Sequence, residues 1–194
     1  MGDRTEILIL NMILFVILPL WGFSGLGDWI CHKRTHIEST SGLKESLIHA
    51  LMGAQIGIPI ILGIFFELSV LTYLIMFLFL VLHEFVAHWD VRYSSPKRKI
   101  TIWEMHAHNY LATIPLYLFL LVSVLGWEVV KKTVLLQWSG SLNFKFRDTP
   151  IGGAHYYIVY GVFISIVCVF PYIAELLRCW RYERKIKSNG VDLT

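Results

Sequence analysis

Seven of the eight histidines fall in four short stretches: His32 and His36, His49, His83 and His88, and His106 and His108. Each stretch has a carboxylate close by, namely Asp28, Glu45, Glu84 with Asp90, and Glu104. Imidazole nitrogen and carboxylate oxygen together suit Fe, Zn, Cu or Mn. Thiolate is scarce: Cys31, Cys168 and Cys179 form no CxxC pattern and read as reduced thiols. Asp28, His32 and His36 are successive i,i+4 positions, one stripe if a helix carries all three. Glu45/His49, Glu84/His88 and Glu104/His108 repeat that step on three further helices, as carboxylate-rich bundles do when they build two-metal sites. His83 and His88 lie about 140° apart round an ideal helix and would serve two different ions; His106 and His108 are nearly opposite, so either one of them precedes the regular helix or they too flank two ions. Seven imidazoles exceed the roughly four ligands that one zinc takes, so two ions are expected. The candidate ligands are Asp28, His32, His36, His49, His83, Glu84, His88, His106 and His108. Asp90 is expected to hold an imidazole tautomer from outside. Thr101-Ile102-Trp103-Glu104 reads as a capping box that uses Glu104 on the backbone, and Glu45 suits a first turn through the helix dipole. His155 is read as structural, and Lys97-Arg98-Lys99 and the 178–187 run as anchors against anionic lipid.

The elements that must position these groups follow from composition. Of 194 residues, 56% are hydrophobic and 16% charged, with mean hydropathy +0.60, whereas soluble domains are about 45–50% apolar and about 25% charged. That balance excludes a disordered chain, a coiled coil, a basic nucleic-acid module and a disulfide-stapled secreted domain. A span needs about 20 mostly apolar residues, and the segments Ile7–Leu26, Leu47–Phe66, Leu68–Val86, Tyr110–Trp127 and Ile151–Leu177 come close to it. The expectation is an all-α, polytopic membrane bundle forming one domain over 1–194, with five spans and four as the lower bound. Gly53 and Gly57 allow close helix approach, Glu67 and Ser69 mark a tight turn, and 128–150 is the one long connection, with Val129–Trp138 lying on the membrane surface.

Alternating the spans places Lys33, Arg34, Lys44, Arg92, Lys97, Arg98, Lys99, Arg178, Arg181, Arg184, Lys185 and Lys187 on one side, twelve basic residues against five on the other. The positive-inside rule makes that side cytoplasmic. The N-terminus and 128–150 are then outside, and the 28–108 histidine cluster and the basic 178–194 tail inside. The first segment lacks a positive n-region and a small-residue cleavage site, so it is expected to be kept.

The element His32-Lys33-Arg34-Thr35-His36 is the HxxxH pattern, and with the other histidines at cytoplasmic helix ends the chain resembles the histidine-rich membrane di-iron oxygenases, the fatty acid desaturase and hydroxylase superfamily. Where that family carries two HxxHH elements, this chain has His83-Glu84-Phe85-Val86-Ala87-His88 and His106-Ala107-His108. The runs 27–32 and 88–93 are also similar to small bacterial membrane proteins, which implies a bacterial inner membrane. The resemblance implies two irons that activate O2 to hydroxylate or desaturate a lipid or other apolar substrate. It also implies a separate reductase, since no GxGxxG, CxxCH or ferredoxin cysteine pattern is present. Two rivals use the same residues. A zinc hydrolase of a lipid amide or ester would take three or four histidines, with Glu84 or Asp28 as base. A metal or haem carrier would continue polar residues through the bilayer, and the span centres are nearly devoid of them. No nucleic-acid partner is expected.

Overall fold

Each apolar stretch becomes one long helix: α1 (Arg4–Arg34), α2 (Gly42–Phe65), α3 (Val70–Ser94), α4 (Ile102–Leu125) and α6 (Gly153–Ser188), with a short α5 (Trp127–Val134) in the connection. The computed structural model describes residues 3–189, so the end of the basic tail lies outside the described residues; among those described there is no β-strand. All five long helices are apolar and long enough to cross a bilayer. At one end of the bundle the helices run well beyond the apolar windows. α1 continues past Leu26 to Arg34 and α3 past Val86 to Ser94, while α2 starts before Leu47 and α4 before Tyr110. These extensions carry most of the polar residues of interest.

α2 packs on α3 and α6, and α1 on α4 and α6. α1 and α6 share a device. Each contains a π-helical segment, Ile13–Ile17 and Ser165–Val169, followed at once by Pro19 or Pro171. A proline has no N–H to give and its ring crowds the preceding turn, so a locally widened helix accommodates it. In α1 the wide register runs from the Leu18 N–H to Ile13 O, so position 19 would next reach Leu14 O. Proline cannot, and the Tyr156 hydroxyl donates to Leu14 O at 2.7 Å instead. Tyr160 donates to Leu18 O at 3.4 Å, and the Tyr172 hydroxyl lies 3.2 Å from Gly25 O, so three hydroxyls line the seam. Gly22 keeps that seam tight, because a Cβ there would sit 2.8 Å from the Phe163 ring. Tyr156→Phe is expected to cost about 1–2 kcal/mol, since it leaves a buried carbonyl unpaired; a thermal melt in detergent unchanged from wild type would refute the role.

The 128–150 connection is tied down rather than free. α5 has no buried residue, and the following chain pairs with the α2–α3 turn through Glu67 N–H to Lys145 O at 2.8 Å, Arg147 N–H to Phe65 O at 2.8 Å and the Ser69 hydroxyl to Asn143 O at 2.8 Å. Ser69 and Thr72 form the capping box that starts α3.

Candidate metal centre

Asp28, His32, His49 and His108 each offer a ligand atom, and those atoms lie within 4.8 Å of one another. Asp28, His32 and His108 come from the extended ends of α1 and α4, and His49 from the first turns of the apolar stretch of α2. Asp28 and His32 are one turn apart on α1, so one face presents both. Asp28 Oδ1 is 3.1 Å from His108 Nε2 and 3.6 Å from His32 Nε2. Four ligands at zinc- or iron-like bond lengths of about 2.1 Å stand about 3.4 Å apart round a tetrahedral ion. Asp28 Oδ1, His32 Nε2, His49 Nδ1 and His108 Nε2 are all buried without a hydrogen-bond partner. Buried polar atoms are almost always satisfied, and a cation among these four would satisfy them together, so the residues fit a metal.

The opposite edges of these groups are already held. Glu175 on α6 takes the Nδ1–H of His32 at 3.1 Å, and Asp90 on α3 takes the Nε2–H of His49 at 3.2 Å. A carboxylate behind an imidazole fixes its tautomer and aims the other nitrogen forward. The Tyr172 hydroxyl lies 3.0 Å from Asp28 Oδ2, leaving Oδ1 for the centre. His32 and His49 stack with ring centroids 4.7 Å apart.

Further donors overlap this group. Glu45, His49 and Asp90 form one set and His32, Glu45 and Glu104 another. Between Glu45 and Glu104 lies Arg98, from the loop joining α3 to α4. Its Nε donates to Glu45 Oε2 at 3.2 Å, its Nη1 to Glu104 Oε2 at 2.9 Å, and its Nη2 to both carboxylates. Burial alone would weaken the guanidinium's hold on its proton, but the hydrogen bonds to Glu104 and Glu45 and their charges outweigh it, and its pKa is raised. Asp28, Glu45, Asp90, Glu104 and Glu175 are each no more than 1% exposed.

The nine expected ligands therefore divide. Asp28, His32, His49 and His108 are brought together. His36 is not, because α1 stops at Arg34 and His36 takes a left-handed conformation (φ 53°) with its ring turned out to Glu38. Glu84 and His88 share a spacing but lie exposed on the outer side of α3, and His106 is exposed while His108 turns in. His83 is buried deeper in the bundle, beside the backbone of Met52 and Leu111, with neither ring nitrogen hydrogen-bonded. His155 is exposed at the opposite end. Asp90 does back an imidazole. Glu104 makes its capping box with Thr101 and reaches Arg98 as well. Arg98 is no lipid anchor; it is buried between two carboxylates. Glu175 and Tyr172 escape the pattern of histidine spacings, although an acid in the last span is itself a signal, since ionisable groups there are costly and usually functional.

Beneath the centre, towards the other end of the bundle, lies a cavity of about 940 Å³ lined by apolar side chains including Leu18, Ile56, Met76, Leu80 and Pro115. His83 stands between the two. It follows Leu80 by three residues, and its neighbours Met52 and Leu111 precede Ile56 and Pro115 by four and follow His49 and His108 by three. One turn of helix, about 5 Å, thus separates it axially from each. No family model, curated protein or solved structure matches the chain.

Proposed function

We propose that this is a multi-pass membrane enzyme of the bacterial inner membrane, holding two divalent ions, iron first, at its cytoplasmic end and oxidising a lipid or other apolar substrate with O2. The observation that carries the reading is buried charge. Five buried carboxylates converge there against a single guanidinium, and an uncompensated buried charge costs several kcal/mol. With neutral imidazoles the deficit is four, which two divalent ions balance. The donor set, nitrogen and carboxylate oxygen from helices of one bundle, is the one that di-iron bundles use.

Asp28, His32, His49 and His108 would hold the first ion, and the carboxylates Glu45, Asp90 (through its unpartnered Oδ1) and Glu104 lie where they can hold the second. Iron at these residues supplies the capacity to activate dioxygen with electrons from a separate reductase. Glu175 and Asp90 orient His32 and His49. Arg98 holds Glu45 and Glu104 in place, and its charge offsets part of theirs. The apolar cavity offers a water-poor path to the centre for a substrate arriving from the bilayer, with His83 at its inner limit.

A zinc hydrolase is the second reading, favoured by one observation: Asp28, His32, His49 and His108 suffice for one ion, and Arg98 already engages both Glu45 and Glu104. Metal analysis of the purified chain decides. Two irons per chain are expected; a single zinc would establish the rival, and a metal-free protein would reject both.

The bundle is proposed to lie with its N-terminus outside and its C-terminus in the cytoplasm, by its distribution of basic residues. Lys99 is exposed at the metal end. In a chain whose three cysteines are replaced by serine, Lys99→Cys is expected to resist an impermeant maleimide in intact cells and to react once the membrane is opened. Labelling from outside would invert the topology.

A further inference from the structure

We infer that the apolar cavity is a binding site for one acyl tail of a phospholipid from the outer leaflet, its phosphate held by Arg147. This deepens the reading above and rests on it for the choice of leaflet and for the fate of the tail. Three features argue for it. The cavity spans Glu6 to Leu18 along α1, about 18 Å at 1.5 Å per residue, a little over half of a hydrocarbon core of roughly 30 Å. Its depth is therefore that of one leaflet. Its walls are apolar from Met76 and Leu125 to the floor at Leu80 and Pro115, while charged groups stand only at the end near the 128–150 connection.

Arg147 is the cation there. It is half-buried, its Nε is shielded from solvent without a hydrogen-bond partner, and burial lowers its pKa against the opposing pull of Glu67. Of the nearby carboxylates, Glu67 is engaged by Lys145 and Glu128 by Lys131, each at 2.7 Å. A phosphate oxygen would satisfy the orphaned donor and form the forked contact that guanidinium makes with phosphate. Glu6 lines the same mouth and suits the ammonium of an ethanolamine head group. With the head group fixed there, the tail terminus comes to rest below His83.

The test is a titration of the purified, metal-loaded protein in detergent with 1-palmitoyl-lysophosphatidylethanolamine, read by native mass spectrometry, with metal content measured on every sample. Wild type is expected to bind one lipid. Arg147→Gln should weaken it about tenfold, the loss for one charge-assisted hydrogen bond. Gly63→Phe should abolish binding, because Gly63 lines the cavity and a Cβ there meets only Met76 at 3.6 Å, leaving the ring to fill the space. Both variants should keep the metal. Wild-type affinity in both would overturn the cavity assignment. If Gly63→Phe loses its metal through distortion, the surface variant Arg147→Gln decides alone. Lipid binding as expected on a wild type that takes up no metal would reject the catalytic reading and leave the cavity assignment standing.

Discussion

Arg98→Met is expected to destabilise the protein by about 3–5 kcal/mol, the cost of leaving buried carboxylates without their partner. The Arg98 side chain is 2% exposed, and its guanidinium donates to Glu45 from Nε and Nη2 and to Glu104 from Nη1 and Nη2. Methionine keeps much of the shape but none of the charge, so two acids remain in a site that already holds Asp28, Asp90 and Glu175. Arg98→Lys should lose less, about 1–3 kcal/mol, because an ammonium keeps the charge yet cannot present a planar fork to two carboxylates. The decisive comparison is the double variant Arg98→Met with Glu104→Gln. If repulsion and desolvation at Glu104 dominate the loss, neutralising it should recover a substantial part, giving a coupling energy above about 1 kcal/mol. Thermal and denaturant melts in detergent measure all three together with the single variant Glu104→Gln, which closes the cycle. An Arg98→Met protein as stable as wild type would mean that Glu45 and Glu104 are held by something other than this guanidinium.

The loop position of Arg98 shows where sequence reading stops. Between Lys97 and Lys99 it looks like one of three anchors, and only the fold turns it inward. The five spans are legible because lipid exposure demands apolar residues over a fixed length. The helix ends are not, because hydropathy falls at Leu26 and Val86 while the helices continue to Arg34 and Ser94. Spacing identifies Asp28/His32, Glu45/His49 and Glu104/His108 as pairs on one face, and all six side chains do turn inward. The same spacing at Glu84/His88 points outward. On α3 the inward face is set by His83 and Asp90, seven residues apart and so within about 20° of each other, whereas Glu84 and His88 lie about 100° and 140° away. Periodicity gives the pairs; the rotational phase of each helix comes from packing. His36 fails for another reason, since the i,i+4 stripe needs a helix and α1 ends two residues earlier.

Those differences set up the sharpest separation among the histidines. His32→Ala and His108→Ala are each expected to lose nearly all bound metal, while His36→Ala and His88→Ala retain it at wild-type stoichiometry. His32 is fully buried, with Glu175 behind Nδ1 and with Nε2 directed at Asp28 and Glu104. His36 is 75% exposed at its side chain, so its removal leaves the cluster intact although it belongs to the HxxxH element. Glu175→Gln and Asp90→Asn should fall between the two groups, weakening metal affinity about 10–100-fold, as the loss of a carboxylate behind a ligating imidazole does elsewhere. Competition with a chromophoric chelator measures each affinity, and helix content by circular dichroism separates metal loss from unfolding. Equal loss in His36→Ala and His32→Ala would mean that the metal lies at the exposed end of α1 rather than inside the bundle. Retention in His32→Ala and His108→Ala alike would remove the metal centre altogether and leave the buried carboxylates to be balanced by protonated imidazoles.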